Sequence, residues 1–191
     1  MNPLNPLNLF LTCYNKSKKE ETTMEPIRRP MRRKERLVTE EADIRRILDA
    51  CGILHLGLYD EGRIYVVPVN YSYTYEDGKL SLFFHGATAG LKKELIEKDS
   101  RAGFEMDTGE KVIPHATNPA LYTNAYMSII GSGRISIIQG NEEKKEILTS
   151  FMRQISGKDW TITDSMLKGC EVYRLDADEF QAKKNCPVKR K

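Results

Sequence analysis

The sequence predicts an α+β fold, an antiparallel β-barrel of about six strands with two or three helices packed around it. Three observations lead there. Runs rich in β-branched and aromatic residues (Ile53 to Tyr59, Ile64 to Tyr75, Leu80 to Phe84) follow one another across Gly-bearing turns, the signature of sequential hairpins. Helical periodicity is confined to three stretches, beginning near Thr39, Leu91 and Asn141. Gly131 and Gly133 interrupt a later strand as a bulge or barrel corner does. A doubly wound parallel sheet would need a helix between every pair of strands, which this order does not supply.

Taken in order, Thr39 is set to cap a first helix, with Glu40 and Glu41 in its first turn, Ile44, Ile47, Leu48 and Cys51 on its buried side, and Gly52 at its end. Asp60-Glu61-Gly62 joins the first two strands. In the second, Val67, Val69, Tyr71, Tyr73 and Tyr75 alternate with smaller or polar residues, so one face is apolar. Pro68 has no N–H for a ladder, which assigns it to an edge, an interruption or a bulge. Arg101 to Met106 is a further strand, Asp107 to Asn124 a long loop able to cover a site, and Tyr126 to Ile138 a strand. Asn141 caps a helix with the stripe Ile147, Leu148, Phe151, Met152, Ile155. The last strand runs from Cys170 to Lys183, broken near Asp176 to Asp178.

Length and composition bound the rest. A chain of 191 residues suits one domain with a real core. The net charge of +3 is modest, and the basic excess lies at the two ends, where aromatics are not interleaved and Glu25 and Glu35 dilute it. That describes solvated tails and not a nucleic-acid face. The expected organisation is a disordered extension over 1–30, a folded domain over 31–184 and a basic tail over 185–191. Four cysteines without a C-x-x-C pair read as reduced cytosolic thiols, hence a cytoplasmic protein. His55, His85 and His115 share no ligand spacing, and no metal is expected. The apolar stretch from Leu7 to Leu11 is too short to span a bilayer, so no membrane partner is expected.

Function points to Lys79 to Lys98, KLSLFFHGATAGLKKELIEK: strand, glycine-bearing loop, helix. The first N–H groups of a helix have no partners within it and attract anions. Gly86 and Gly90 allow close approach, Thr88 offers a hydroxyl, and Lys92 or Lys93 a cation. The same pattern also fits an ordinary strand-to-helix connection with solvated lysines, since neither nucleotide-binding glycine fingerprint is present.

From Met31 to about Lys183 the chain resembles the flavin-binding split barrels of the pyridoxamine 5'-phosphate oxidase superfamily, and within it the 5-nitroimidazole resistance proteins. The resemblance rests on MRRKERLVTEEADIRRIL, VVPVNYSYTYEDGKLSLFFHGA, GLKKELI, RAGFEMD and YMSIIGSGRI, in that order. It implies a six-stranded split barrel, a homodimer, and FMN at the subunit interface. The phosphate would lie by Gly86, Ala87, Thr88 and Lys92, with Phe84, His85 and Leu91 also against the cofactor, the ring edge along Val67, Pro68, Val69 and Asn70, and Ser128 on a strand returning towards it. His85 stands where the resistance proteins carry histidine, as proton donor or substrate-positioning group, or simply packed against the ring. The implied activity is an FMN-dependent oxidoreductase acting on a small aromatic or nitro compound; the alternative is a non-enzymatic flavin- or haem-binding protein on the same barrel. Three departures stand out. Leu91-Lys92 replaces the Arg-Lys pair of many members, PALYTNAYMS lacks a cysteine common in resistance proteins, and the basic residues of true pyridoxamine phosphate oxidases are missing near the C-terminus.

Overall fold

A computed structural model describes residues 31–185. The expectations for 1–30 and 186–191 lie outside the described residues. The elements are β1 (Leu37–Val38), α1 (Glu41–Ala50), β2 (Leu54–Asp60), β3 (Arg63–Val69), β4 (Ser72–Glu76), β5 (Lys79–Ala87), α2 (Leu91–Lys98), β6 (Arg101–Ile113), β7 (Thr123–Ile137), α3 (Asn141–Ser156), α4 (Asp164–Leu167) and β8 (Cys170–Asn185). The strands form one antiparallel sheet in the order β3-β2-β6-β7-β8-β5-β4, with β1 added to β8.

The two ends of that order, β3 and β4, are consecutive in the chain. Only Asn70 and Tyr71 separate them, so Val69 and Ser72 are at most about 11 Å apart. The sheet therefore curls until its edges nearly meet without pairing, which is a split barrel. The expected single strand from Ile64 to Tyr75 is thus two strands on opposite edges, and this split plus β1 raises the strand count from six to eight. Pro68 falls on edge strand β3, where its missing N–H is tolerated.

Both tight hairpins turn on left-handed residues: Glu61 and Gly62 (φ 46° and 92°) between β2 and β3, and Asp77 and Gly78 (φ 50° and 76°) between β4 and β5. Positive φ at both central positions matches the twist of the flanking strands.

Four expectations need correction. The residues from Asp107 to Ile113 continue β6 and pair with β7, leaving a shorter link before Thr123; the register shift between Thr108 and Lys111 breaks the apolar alternation that marks the other strands. Thr39 does not cap α1; Glu40 holds that position, without a side-chain hydrogen bond. Gly140, and not Asn141, precedes α3. β8 is continuous, and the expected break is a bulge, since Ser132 pairs with Glu179 while Gly133 pairs with Ala177 and Asp178 is left over.

Two cores result. The barrel interior is filled by Leu54, Leu56, Leu58, Leu80, Leu82, Phe84, Met106, Ile129, Tyr173 and Leu175, with Ile44, Ile47 and Leu48 of α1 closing one end. Tyr71 reaches the last carbonyls of α1, its hydroxyl 2.7 Å from Leu48 O, and Tyr73 donates to Asp49 at 2.7 Å. These phenols stand where the helix leaves acceptors unmet, and burial pushes both pKa values up. The second core lies on the other face of β5 and β8, where Phe83 and Val172 meet Ile147, Leu148 and Leu167 of α3 and α4. Lys144 and Glu171, both largely buried, pin α3 to β8 at 2.7 Å. Among the described residues no helix is long and apolar enough to cross a membrane, and no group of three or more His, Cys, Asp or Glu side chains gathers as a metal site would need.

Candidate functional site

The junction of β5 and α2 assembles as its sequence suggests. β5 runs to Ala87, paired to β8 through Gly86↔Glu171 and Ala87↔Cys170. Gly90, at φ 117°, then turns the chain into α2 with no side chain capping the helix. Ala87, Thr88, Ala89, Gly90 and Leu91 are all exposed. The first-turn N–H groups of an eight-residue helix thus open on solvent beside a loop of small residues.

Lys92 is the cation of this junction. It is half-buried, donates from Nζ to the His85 carbonyl at 3.2 Å, and lies 5.5 Å and 5.6 Å from the ring centroids of Phe84 and Tyr173. Those two rings stack at 4.9 Å with planes 11° apart. Gly86 makes this placement possible: a Cβ there would collide with the Lys92 ammonium. Among the described residues no carboxylate pairs with Lys92, and burial lowers its pKa. Lys93, by contrast, is committed to Glu97.

His85 leaves β5 on the opposite face. Alternation along the strand sends Phe84 into the barrel and His85 towards α3, where its ring meets Phe151 edge-on at 4.9 Å. Its Nδ1 is buried without a hydrogen-bond partner among the described residues. Burial, and then the nearby Lys92 charge, lowers its pKa, so the neutral imidazole is favoured.

The remaining expected residues divide. The β4–β5 ladder ends at Ser72↔Phe83, so Tyr71 and Asn70 leave it at the level of Phe84 and His85. The end of β3, Val67 to Asn70, is thereby carried to the same end of the barrel as the junction. Ser128 pairs with Lys183, eleven residues along β8 from Val172, the partner of His85, and it lies three strands round the sheet from the end of β3: Pro68 pairs with His55, His55 with Glu105, and Asp107, two residues on, with Ser128. Tyr173 is a participant that sequence reasoning missed: it is fully buried, its hydroxyl is unpartnered and its pKa is pushed up to about 12. Only its register opposite Phe84 brings it to the site, and no local pattern signals that.

The chain matches the family described as pyridoxamine 5'-phosphate oxidase over residues 40–184. No curated protein matches it. Among solved structures it is similar to a candidate 5-nitroimidazole antibiotic resistance protein from Bacteroides thetaiotaomicron, at 22% identity over 78% of this chain and 86% of that one, with a TM-score of 0.67. It is similar also to the flavocytochrome Anf3 from Azotobacter vinelandii (18% identity, 83% and 73% covered, TM-score 0.68). A third likeness is to an FAD and heme binding protein from Mycobacterium smegmatis (16% identity, 80% and 74% covered, TM-score 0.68). At these identities the likenesses establish the shared barrel. With three quarters of its length covered by one family profile and its sheet wound as a split barrel, the chain belongs to the pyridoxamine 5'-phosphate oxidase family.

Proposed function

We propose that this protein binds FMN as a homodimer and uses it in an oxidoreductase reaction on a small aromatic or nitro compound. One observation carries the reading: a half-buried lysine without a carboxylate partner among the described residues is held over a glycine gap beside an uncapped helix N-terminus. Such an arrangement suits a phosphate dianion, which needs several donors and at least one cation. Lys92 supplies the charge, the first turn of α2 and the backbone of Ala87 and Thr88 supply N–H groups, and the Thr88 hydroxyl adds another donor. An anion bound there would also favour the charged form of Lys92 that burial disfavours.

The flavin would supply the electron transfer itself. The chain's own residues do the rest. The open edge of β3 at Val67, Pro68, Val69 and Asn70 offers backbone groups to the ring edge. His85, neutral and with a free Nδ1, holds a position from which an imidazole can take or return a proton near neutral pH. A second copy covers the ring face that one small barrel leaves open. The names of the neighbours support a flavin, as in the mycobacterial FAD and heme binding protein, and the same name keeps haem as a second reading.

The absorption spectrum of the purified protein, before and after incubation with FMN, tests this directly. A flavin spectrum is expected, and a haem Soret band or a protein that stays colourless would overturn it. Lys92→Glu should lower FMN occupancy at least tenfold, the effect of setting an anion beside the phosphate, whereas His85→Ala should retain flavin and slow its reduction and reoxidation. Full flavin in Lys92→Glu removes the phosphate assignment; unchanged turnover in His85→Ala removes the chemical role of the imidazole.

A further inference from the structure

Alternation along β4 and β5 sets two polar side chains beneath α3. Tyr71 and Tyr73 point into the barrel core, so Ser72 between them points outward, under the helix that packs against β4. Its cross-strand partner is Phe83, a member of the second core, and His85 is the next residue of β5 on that face. Ser72 and His85 therefore stand on a diagonal of one antiparallel pair, their Cβ atoms about 7 Å apart. The neighbours of the diagonal are apolar: Phe83 across the strand and Phe151 edge-on to the imidazole.

Two buried polar atoms on this diagonal have no hydrogen-bond partner among the described residues. One is Oγ of Ser72, a residue 0% exposed, and the other is Nδ1 of half-buried His85. They do not bond to each other, but two hydrogen bonds in series span up to about 6 Å, so a single water reaches both. The β4–β5 ladder stops at Ser72↔Phe83, and beyond it the main chain of β5 has no strand opposite on that side. The departure of the strand makes room and frees main-chain groups, giving the third polar partner that an internal water needs.

We propose that one buried water links Ser72 to His85 and fixes the imidazole as its Nε2–H tautomer. The Ser72 hydroxyl donates to the water, the water donates to Nδ1, and its second proton goes to a main-chain carbonyl where the ladder ends. The direction follows from the groups available: the hydroxyl proton has no other acceptor, whereas a ring nitrogen of a neutral imidazole accepts when the other carries the proton. Ser72 is thus a positioning residue. It holds the ring against Phe151 and leaves Nε2 as the nitrogen that exchanges a proton. The chemical consequence rests on the role of His85 under Proposed function; the hydrogen bonds themselves do not require flavin.

The full chain labelled with 15N-histidine, with His85 assigned through the signals lost in His85→Gln, is the sample, with and without FMN. Imidazole 15N NMR at about pH 7.5, where an ordinary histidine is already neutral, should show the proton on Nε2 and cross-relaxation from a long-lived water to the ring in both conditions. Ser72→Ala should mix the tautomers and abolish the water contact while near-ultraviolet dichroism and FMN occupancy stay at wild-type levels. Reoxidation of the dithionite-reduced, FMN-loaded protein by nitrobenzene should slow about tenfold at saturation in Ser72→Ala, the scale known for an outer partner that orients a metal-binding histidine, with the half-saturating concentration unchanged. A proton on Nδ1 in the wild type, no water contact there, or unmixed tautomers in a folded Ser72→Ala would overturn the proposal. So would an unchanged reoxidation rate in a variant whose tautomers have mixed, since Ser72 would then position nothing. A wild-type chain that shows the tautomer and the water but binds no FMN would sink the flavin reading and leave the Ser72–His85 link standing.

Discussion

At the scale of single residues, His85 and Lys92 lie seven positions apart and share one backbone carbonyl, yet their side chains work on opposite faces of β5. Their charges also meet through the strand, because Lys92 helps to hold the imidazole neutral. This has a consequence for stability. The folded pKa of His85 lies below its ordinary value of 6.5, so the unfolded chain takes up the proton first as pH falls. The contribution of this group is fully present above 6.5 and is lost as pH falls towards the folded value. The urea midpoint of the wild-type protein should therefore drop between about pH 7.5 and pH 5.5, and His85→Gln should flatten that slope. An equal slope in the variant would show that other groups set it. Cys51 is the opposite kind of residue: burial pushes its thiol up to about 12, which leaves it inert.

Among the elements, β7 and β8 make the longest ladder, and its irregularity is enforced by backbone contact. A Cβ on Gly133 would run into the Asp176 carbonyl, and one on Gly131 would reach Glu179 O and the Phe104 ring, each at 2.5 Å. The bulge at Asp178 sits between those two contacts. Gly133→Ala should destabilise the fold by about 1–3 kcal/mol or more, because the group in the way is backbone and cannot swing aside. Equilibrium urea unfolding with an unchanged m-value checks it, and a variant as stable as the parent would refute the close approach. The two glycines were legible as a bulge signal in the sequence; that they face two different strands' contacts was not.

For the whole molecule, the outer face of β2 and β3 is an apolar surface left bare. Tyr59, Ile64 and Val66 are 50%, 67% and 60% exposed, side by side through the pairs Tyr59↔Ile64 and Gly57↔Val66. Gly57 and Gly103, opposite each other on β2 and β6, keep the adjoining strip flat. A patch of this kind is what a second copy would cover. Val66→Lys should leave the barrel folded, since the side chain already faces water, and should shift a dimer to monomer in sedimentation equilibrium while lowering FMN occupancy. A variant that remains dimeric would move the interface elsewhere.

What the sequence determined by itself were features set by near neighbours: the two hairpin turns, the amphipathic helices though not their caps, the strand-loop-helix junction with its glycines and Lys92, and through those motifs the barrel class. Periodicity and turn chemistry are properties of residues within about four positions of one another, so they can be read along the chain. Tertiary structure alone decided that Ile64 to Tyr75 divides between the two edges of the sheet, that Asp107 to Ile113 extends a strand, that Tyr173 stacks under Lys92, and that Ser128 lies at the far end of β8 from His85. Each of these depends on which distant strand lies alongside, and that choice is made by burying apolar faces together, a condition on the whole chain that no local window contains.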